Sequence, residues 1–242
     1  MNSFNPVYNL EEMATLNEDF RLRCDREVNK RRDILRIPEG PLEFVYGYGS
    51  ATAGIMLIGE APGKDEVRMG RPFVGKAGAI LSEILENTGF DRNDLYITNV
   101  VKYRLSRAGK RPGTVANRPA TTFEITNSML WLIGEILLVR PKLILTLGNV
   151  PLKAMRHIAE YFSASEEGKD IKALQKAYYD EYLQMSEIGS CHGRQLQCSF
   201  KNLTATHIPL YHPASLIYNR NLRKAYDADM EEVRKCVASL FG

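Results

Sequence analysis

"IMLIGEAPGKDEVRMGRPFVGKAGAILSEIL", residues 55–85, begins as an apolar run, opens into a loop punctuated by Gly59, Gly63, Gly70 and Gly75, and ends in helical spacing. Ile55 to Ile58 have the length and composition of a buried strand. Ala77, Ile80, Leu81, Ile84 and Leu85 recur at intervals that place them on one face of a helix. The order is strand, loop, helix, and the loop between them is crowded with Glu60, Asp65, Glu66 and a single aromatic, Phe73.

The alternation continues downstream. "LYITNVV" (95–101) is rich in β-branched residues, a helical pattern covers about residues 123–138, and "LILTLG" (143–148) is another buried-strand candidate. "NVPLKAMRHIAEYF" (149–162) resumes helical spacing. "ATHIPLYHP" (205–213) leads into a helix that has Leu222, Tyr226, Met230, Val233, Val237 and Leu240 on one face. Alternating strands and helices imply right-handed crossovers and a parallel sheet covered on both faces, with ligands at the carboxyl ends of the strands. Upstream, Leu10, Met13, Leu16, Phe20, Cys24 and Val28 form a one-sided helix pattern that Pro38, Gly40 and Pro41 stop. The expected organisation is one domain over residues 1–242 with an amino-terminal helical extension at about 8–36. A polar, weakly patterned segment at about 163–202 breaks the alternation and reads as a partly helical insertion.

At 242 residues, 44% hydrophobic and 25% charged, the chain has the composition of an ordinary soluble domain large enough to bury a core. A net charge of +3 does not by itself announce a nucleic-acid binder, but the charge is unevenly spread. No acidic residue lies between Asp94 and Glu124, whereas Lys102, Arg104, Arg107, Lys110, Arg111 and Arg118 all do. One loop or face is therefore cationic. The amino terminus lacks a secretory layout and no apolar run approaches the ~20 residues of a membrane span, so the expected location is cytoplasmic and away from membranes. The spacing of Cys24, Cys191, Cys198 and Cys236 fits no familiar zinc pattern.

Three loops follow strands and converge on one sheet edge: 59–75 with Glu60, Glu66 and Phe73; 98–104 with Asn99 and Lys102; 211–215 with His212. Taken singly, each has an ordinary explanation. "GEAPG" has neither the GxGxxG order nor the Walker lysine, Phe73 alone reads as a core anchor, Asn99 as a cap or turn residue, and His212 as a structural histidine. The combination changes the reading.

"GEAPGKDEVRMGRPFVGKAGAIL", "YITNVVKYR", "RPKLILTLG" and "YHPASL", in that order, resemble the uracil-DNA glycosylase superfamily and, within it, the family 4 enzymes. The resemblance covers roughly residues 45–160 and 193–240 and implies an α/β/α sandwich around a four-stranded, mainly parallel sheet. It implies hydrolysis of the N-glycosidic bond of uracil in DNA, with no metal in the reaction, on a base flipped into the site. By the same resemblance Phe73 stacks on uracil, and the Gly59 and Gly63 backbone lies close to it. Neutral His212 donates to O2, and Asn99 reads N3–H and O4 with one amide. Glu60 and Glu66 match acidic positions implicated in binding the base or orienting water, while Ala61 and Gly63 stand where family 1 enzymes have an aspartate and a tyrosine. Lys102, Lys110, Arg111, Ser215 and Arg220 are the candidate DNA contacts, with "HPASLIYNRNLRK" the loop that wedges into the duplex.

The resemblance also fails in one place. Family 4 enzymes usually hold a 4Fe–4S cluster on four cysteines, but Tyr103 occupies the third ligand position and no cysteine falls near Thr126 to Ser128. Cys24 matches only one of the amino-terminal pair, so the expectation is no cluster and no other cofactor. A related branch that links covalently to DNA has a histidine in its extended basic loop; none occurs here, and ordinary turnover is expected. The expected partner is uracil-containing DNA, single- or double-stranded, bound by a monomer. Two other readings stand beside this one: a weak or inactive DNA-binding relative, and a glycosylase for another deaminated or modified base.

Overall fold

In the computed structural model, which describes residues 6–111, 113–164, 187–200 and 203–242, the apolar run at 55–59 is strand β2 (Ile55–Gly59), after a two-residue β1 (Tyr48–Gly49). Every residue of β2 is buried, as is every residue of β3 (Leu95–Asn99) and β6 (Leu143–Leu147). Strands buried on both faces are what a parallel sheet between helical layers requires. Two short strands, β4 (Ser106–Ala108) and β5 (Val115–Asn117), form a separate hairpin. β7 (Leu196–Phe200) and β8 (Leu203–Leu210) close the main sheet, whose order is β1-β3-β2-β6-β8-β7.

The four inner strands β3, β2, β6 and β8 are parallel, as expected. Beyond that expectation, an antiparallel strand is added at each edge, β1 on β3 and β7 on β8. β7 falls within the stretch read as an insertion, and residues 165–186 of that stretch lie outside the described residues.

Side-chain alternation sends successive residues of β2 to opposite layers. Met56 and Ile58 join a core with helices α1 (Pro6–Asn29), α5 (Thr122–Val139) and α6 (Asn149–Ala164). Ile55 and Leu57 join another with α4 (Lys76–Thr88) and the last helix, here α8 (Leu222–Phe241). Short helices α2 (Arg32–Leu35), α3 (Lys64–Met69) and α7 (Ser215–Tyr218) sit in the connections. The result is three layers, α/β/α.

α1 is a full member of this core. Phe20 is buried against Trp131 of α5, ring centroids 5.0 Å apart, and edge-on to Phe44 at 6.2 Å. Among the described residues α5 is the helix long and apolar enough to cross a membrane, and 56% of it is buried inside the fold. Its Glu124 and Glu135 are both buried with polar partners, which identifies a core helix. Phe20→Ala is expected to cost about 3–5 kcal/mol, because the site cannot collapse around a lost ring between two helices. Denaturant unfolding followed by the single Trp131 reads this directly, and a loss within error of zero would show that α1 is not part of the cooperative unit.

Candidate active site

The chain runs from β2 to β3 on one side, then crosses to β6 on the other, so the strand order reverses beside β2. Such a switch point leaves a crevice at the carboxyl ends of the strands. Two backbone hydrogen bonds fix its floor, Val100 N–H to Gly59 O at 2.8 Å and Val101 N–H to Glu60 O at 3.0 Å. Above it lies a cavity of about 350 Å³ whose walls include Ala61, Gly63, Glu66, Phe73, Asn99 and His212.

Phe73 is held in a backbone conformation that bulky residues rarely adopt, with φ 54°. Strain of this kind persists only where its surroundings enforce it. Arg92 does so, donating from one nitrogen to both Pro72 O and Phe73 O at 2.8 Å. The ring presses on Gly59, where an added Cβ would lie 2.5 Å from Phe73 Cζ and 2.4 Å from Asn99 Oδ1. Glycine at 59 is thus demanded by close approach. Asn99, 3% exposed, and Phe73, 6% exposed, meet over that bare backbone.

His212 faces Phe73 with ring centroids 6.0 Å apart. Its Nδ1 accepts the Ala214 N–H at 3.1 Å, which leaves the imidazole proton on Nε2. Burial lowers its pKa from the ordinary imidazole value, against an opposing pull from the Glu66 charge. The neutral ring is therefore a hydrogen-bond donor through Nε2.

The two glutamates do different work. Glu66 accepts from Gly63 N–H at 3.1 Å with one oxygen and from Gly75 N–H at 2.9 Å with the other, so it bridges both ends of the loop. The Gly63 amide, part of a backbone expected to lie close to uracil, is thereby occupied by a side chain. Glu60 accepts from Ala120 N–H at 2.7 Å and is not among the cavity's lining residues. Burial raises its carboxyl pKa, the Ala120 hydrogen bond opposes this, and the charge of Glu124 adds to the rise.

A sequence profile described as "Uracil DNA glycosylase superfamily" matches residues 46–236. The chain belongs to this superfamily. It is 34% identical over 192 residues to the "Type-4 uracil-DNA glycosylase" of Sulfurisphaera tokodaii, covering 79% of this chain and 73% of that protein. It is 30% identical over 190 residues to the protein of the same description from Archaeoglobus fulgidus, covering 78% and 80%. The superfamily match begins after α1, the helix that Phe20 ties into the core.

Among the cationic candidates of this superfamily member, one is corrected. Lys102 is 1% exposed and its ammonium is bound by Glu135 and Thr98, so it cannot reach a DNA phosphate. Lys110 and Arg111 are exposed at the turn between β4 and β5, and Arg220 is exposed after α7. Ser215 opens α7 and donates its N–H to His212 O at 2.8 Å. Asn117, on β5, also lines the cavity, its Oδ1 accepting from Arg104 Nε at 3.2 Å. Sequence reasoning missed it because no local pattern says that a hairpin folds back over the site. Lys64 and Lys76, likewise missed, line the rim at the first turns of α3 and α4. The charged residues following Gly63 and Gly75 were a signal that was there to use.

The residues at the cluster positions do not supply its ligands. Tyr103, 1% exposed, donates to Glu124 at 3.1 Å, and Glu124 takes two hydrogen bonds from Arg118 at 2.7 and 2.8 Å. Asn127 donates to the Cys24 sulfur at 3.8 Å, and burial pushes that thiol up to about 12, so it stays protonated. Cys191 and Cys198 donate instead to the carbonyls of Glu187 and Ala205. No group of three or more His, Cys, Asp or Glu among the described residues could hold a metal ion.

If Glu66 is the clamp of this loop, Glu66→Ala leaves two partly buried amides without a partner and is expected to cost about 1–3 kcal/mol. Amide hydrogen exchange at Gly63 and Gly75 should accelerate while that of β2 stays slow. Unchanged protection at both glycines would remove the clamp from the account.

Proposed function

We propose that this chain is a DNA glycosylase that hydrolyses the N-glycosidic bond of uracil in DNA and leaves an abasic site for base-excision repair. The observation that carries the reading is the placement of His212: partly buried beside Asn99 and Phe73 on the cavity wall, its Nδ1 accepting the Ala214 N–H so that the proton of the neutral ring is on Nε2.

Breaking the bond separates charge, making the sugar oxocarbenium-like and the base anionic. Donors fixed in place before the reaction stabilise the anion at no cost of reorganisation. His212 Nε2–H donates to O2 as negative charge grows there, Asn99 accepts from N3–H and donates to O4, and Phe73 supplies a face for stacking. Gly59 allows the backbone to approach, and Gly63 leaves Glu66 room to clamp the loop. Asp65, on the cavity wall, and Glu66 bring negative charge suited to the sugar cation. Glu60 and Glu66 otherwise act by tying loops, Glu60 to the segment that follows β5 and Glu66 across its own loop.

Uracil-containing DNA is the partner, held at its phosphates by Lys110, Arg111 and Arg220 and by the Ser215 turn. The protein acts as a monomer in the cytoplasm. It works without an iron–sulfur cluster, because Tyr103, Glu124, Arg118 and Asn127 fill the place of the ligands with hydrogen bonds and an ion pair.

Single-turnover cleavage of a labelled oligonucleotide with one uracil, in EDTA and followed by alkali, tests the activity. His212→Ala should slow release by on the order of 10²-fold or more while DNA binding persists. Because the folded pKa of His212 lies below the ordinary value of about 6.5, the wild-type rate should hold as pH falls through that value and drop only lower. Binding without cleavage would point to a DNA-binding relative, and cleavage at another base alone would change the substrate. Purified protein is expected to carry no stoichiometric iron or acid-labile sulfide, and finding both would overturn the cluster-free reading.

A further inference from the structure

Lys102 follows Asn99 by three residues and turns back beneath it. Its ammonium donates to Asn99 O, to Thr98 Oγ1 at 2.9 Å and to Glu135 of α5, which uses its three protons. Thr98 donates in turn to Glu135 at 3.1 and 3.2 Å, and Tyr96 donates to the same carboxylate at 3.1 Å. Three side chains from β3 and its following turn thus converge on one buried acid. Both charges are almost wholly removed from water, 2% and 1% exposed. A buried ion pair is costly to desolvate and is often no more stable than apolar side chains of the same size. Stability alone is a poor reason for this one, and its contacts supply a better one: it ties off the carbonyl of the residue whose amide faces the cavity.

We propose that Lys102 and Glu135 are positioning residues that aim Asn99 at the base. On the β2 side it is the Val100 N–H that Gly59 O accepts, and the Asn99 carbonyl is held by the Lys102 ammonium. With its main chain fixed on both sides, the Asn99 amide has only its own two torsions left, and a displacement of about 1 Å from the reacting geometry is enough to cost a large part of the rate. The inference rests on the reading of Asn99 as the residue that recognises the base.

Lys102→Met/Glu135→Gln removes both charges, leaves no lone buried charge and keeps an acceptor for the Tyr96 and Thr98 hydroxyls. Thermal unfolding, binding of uracil-free DNA across a salt series, and single-turnover release of uracil are measured for the parent, this double variant, Asn99→Ala and the triple variant. The double variant is expected to keep its unfolding midpoint and the salt slope of binding, yet release uracil at least about tenfold more slowly. In the Asn99→Ala background the same change should add no further loss, since residues acting through one another are not additive. An unchanged rate, or losses that multiply independently, overturns the proposal. So does a salt slope reduced by about 1, which would assign Lys102 to a phosphate. If Asn99→Ala turns over like the parent, the role of Asn99 has failed and the inference falls with it. Should the double variant not fold, Lys102→Leu/Glu135→Gln, which is equally free of a lone buried charge, takes its place in the same cycle with the same outcomes.

Discussion

Two main-chain hydrogen bonds, Val100 N–H to Gly59 O and Val101 N–H to Glu60 O, carry the pairing of β2 and β3 past the ends of the strands. The rest of the site leans on them. They weld the glycine loop to the turn after β3, so Gly59, Glu60 and Asn99 move as one body. Because the loop is fixed that tightly, a side chain at 59 has nowhere to go, and the Phe73 ring takes the space a Cβ would need. The pocket is narrow for a backbone reason before any side chain chooses a ligand.

α5 is the second organising element, and its composition conceals this. The helix is apolar enough to suggest a membrane span, yet two of its carboxylates do most of the polar work behind the site. Glu124 closes a capping box with Thr121, takes two hydrogen bonds from Arg118 and one from Tyr103, and so fastens the end of the basic hairpin to the core. Burial pushes its pKa up, but the Arg118 hydrogen bonds and the Thr121 amide outweigh that and keep it ionised. Glu135, about three turns further on, gathers Tyr96, Thr98 and Lys102. In one helix, one acid holds the hairpin and the other holds β3.

Local strain and local charge are offset by the same kind of long-range partner. Phe73 stays at positive φ because Arg92, nineteen residues on, holds its carbonyl. Glu66 keeps a glycine-rich loop in one shape by taking amides from both of its ends. A loop with so many glycines loses much entropy on ordering, and side chains reaching across it offset that loss.

The inner parallel sheet, the two helical layers and the meeting of Phe73, Asn99 and His212 were legible in the sequence, because they depend on short-range periodicity and on the rule that loops after parallel strands share one edge. The edge strands were not: β1 is two residues long, and β7 lies in a polar stretch that has no strand pattern of its own and is recognised only by its antiparallel pairing with β8. Lys102 shows the limit most clearly. Its residue type and its place in a cationic run both pointed to solvent, and a single acid on a distant helix drew it inside. The sequence by itself determined which residue types lie near the crevice, since hydrophobic period and chain order are local. Only the tertiary structure decided which charges face a ligand and which are spent holding the walls, because partners such as Glu135, Arg92 and Arg104 are brought to them by packing and not by spacing.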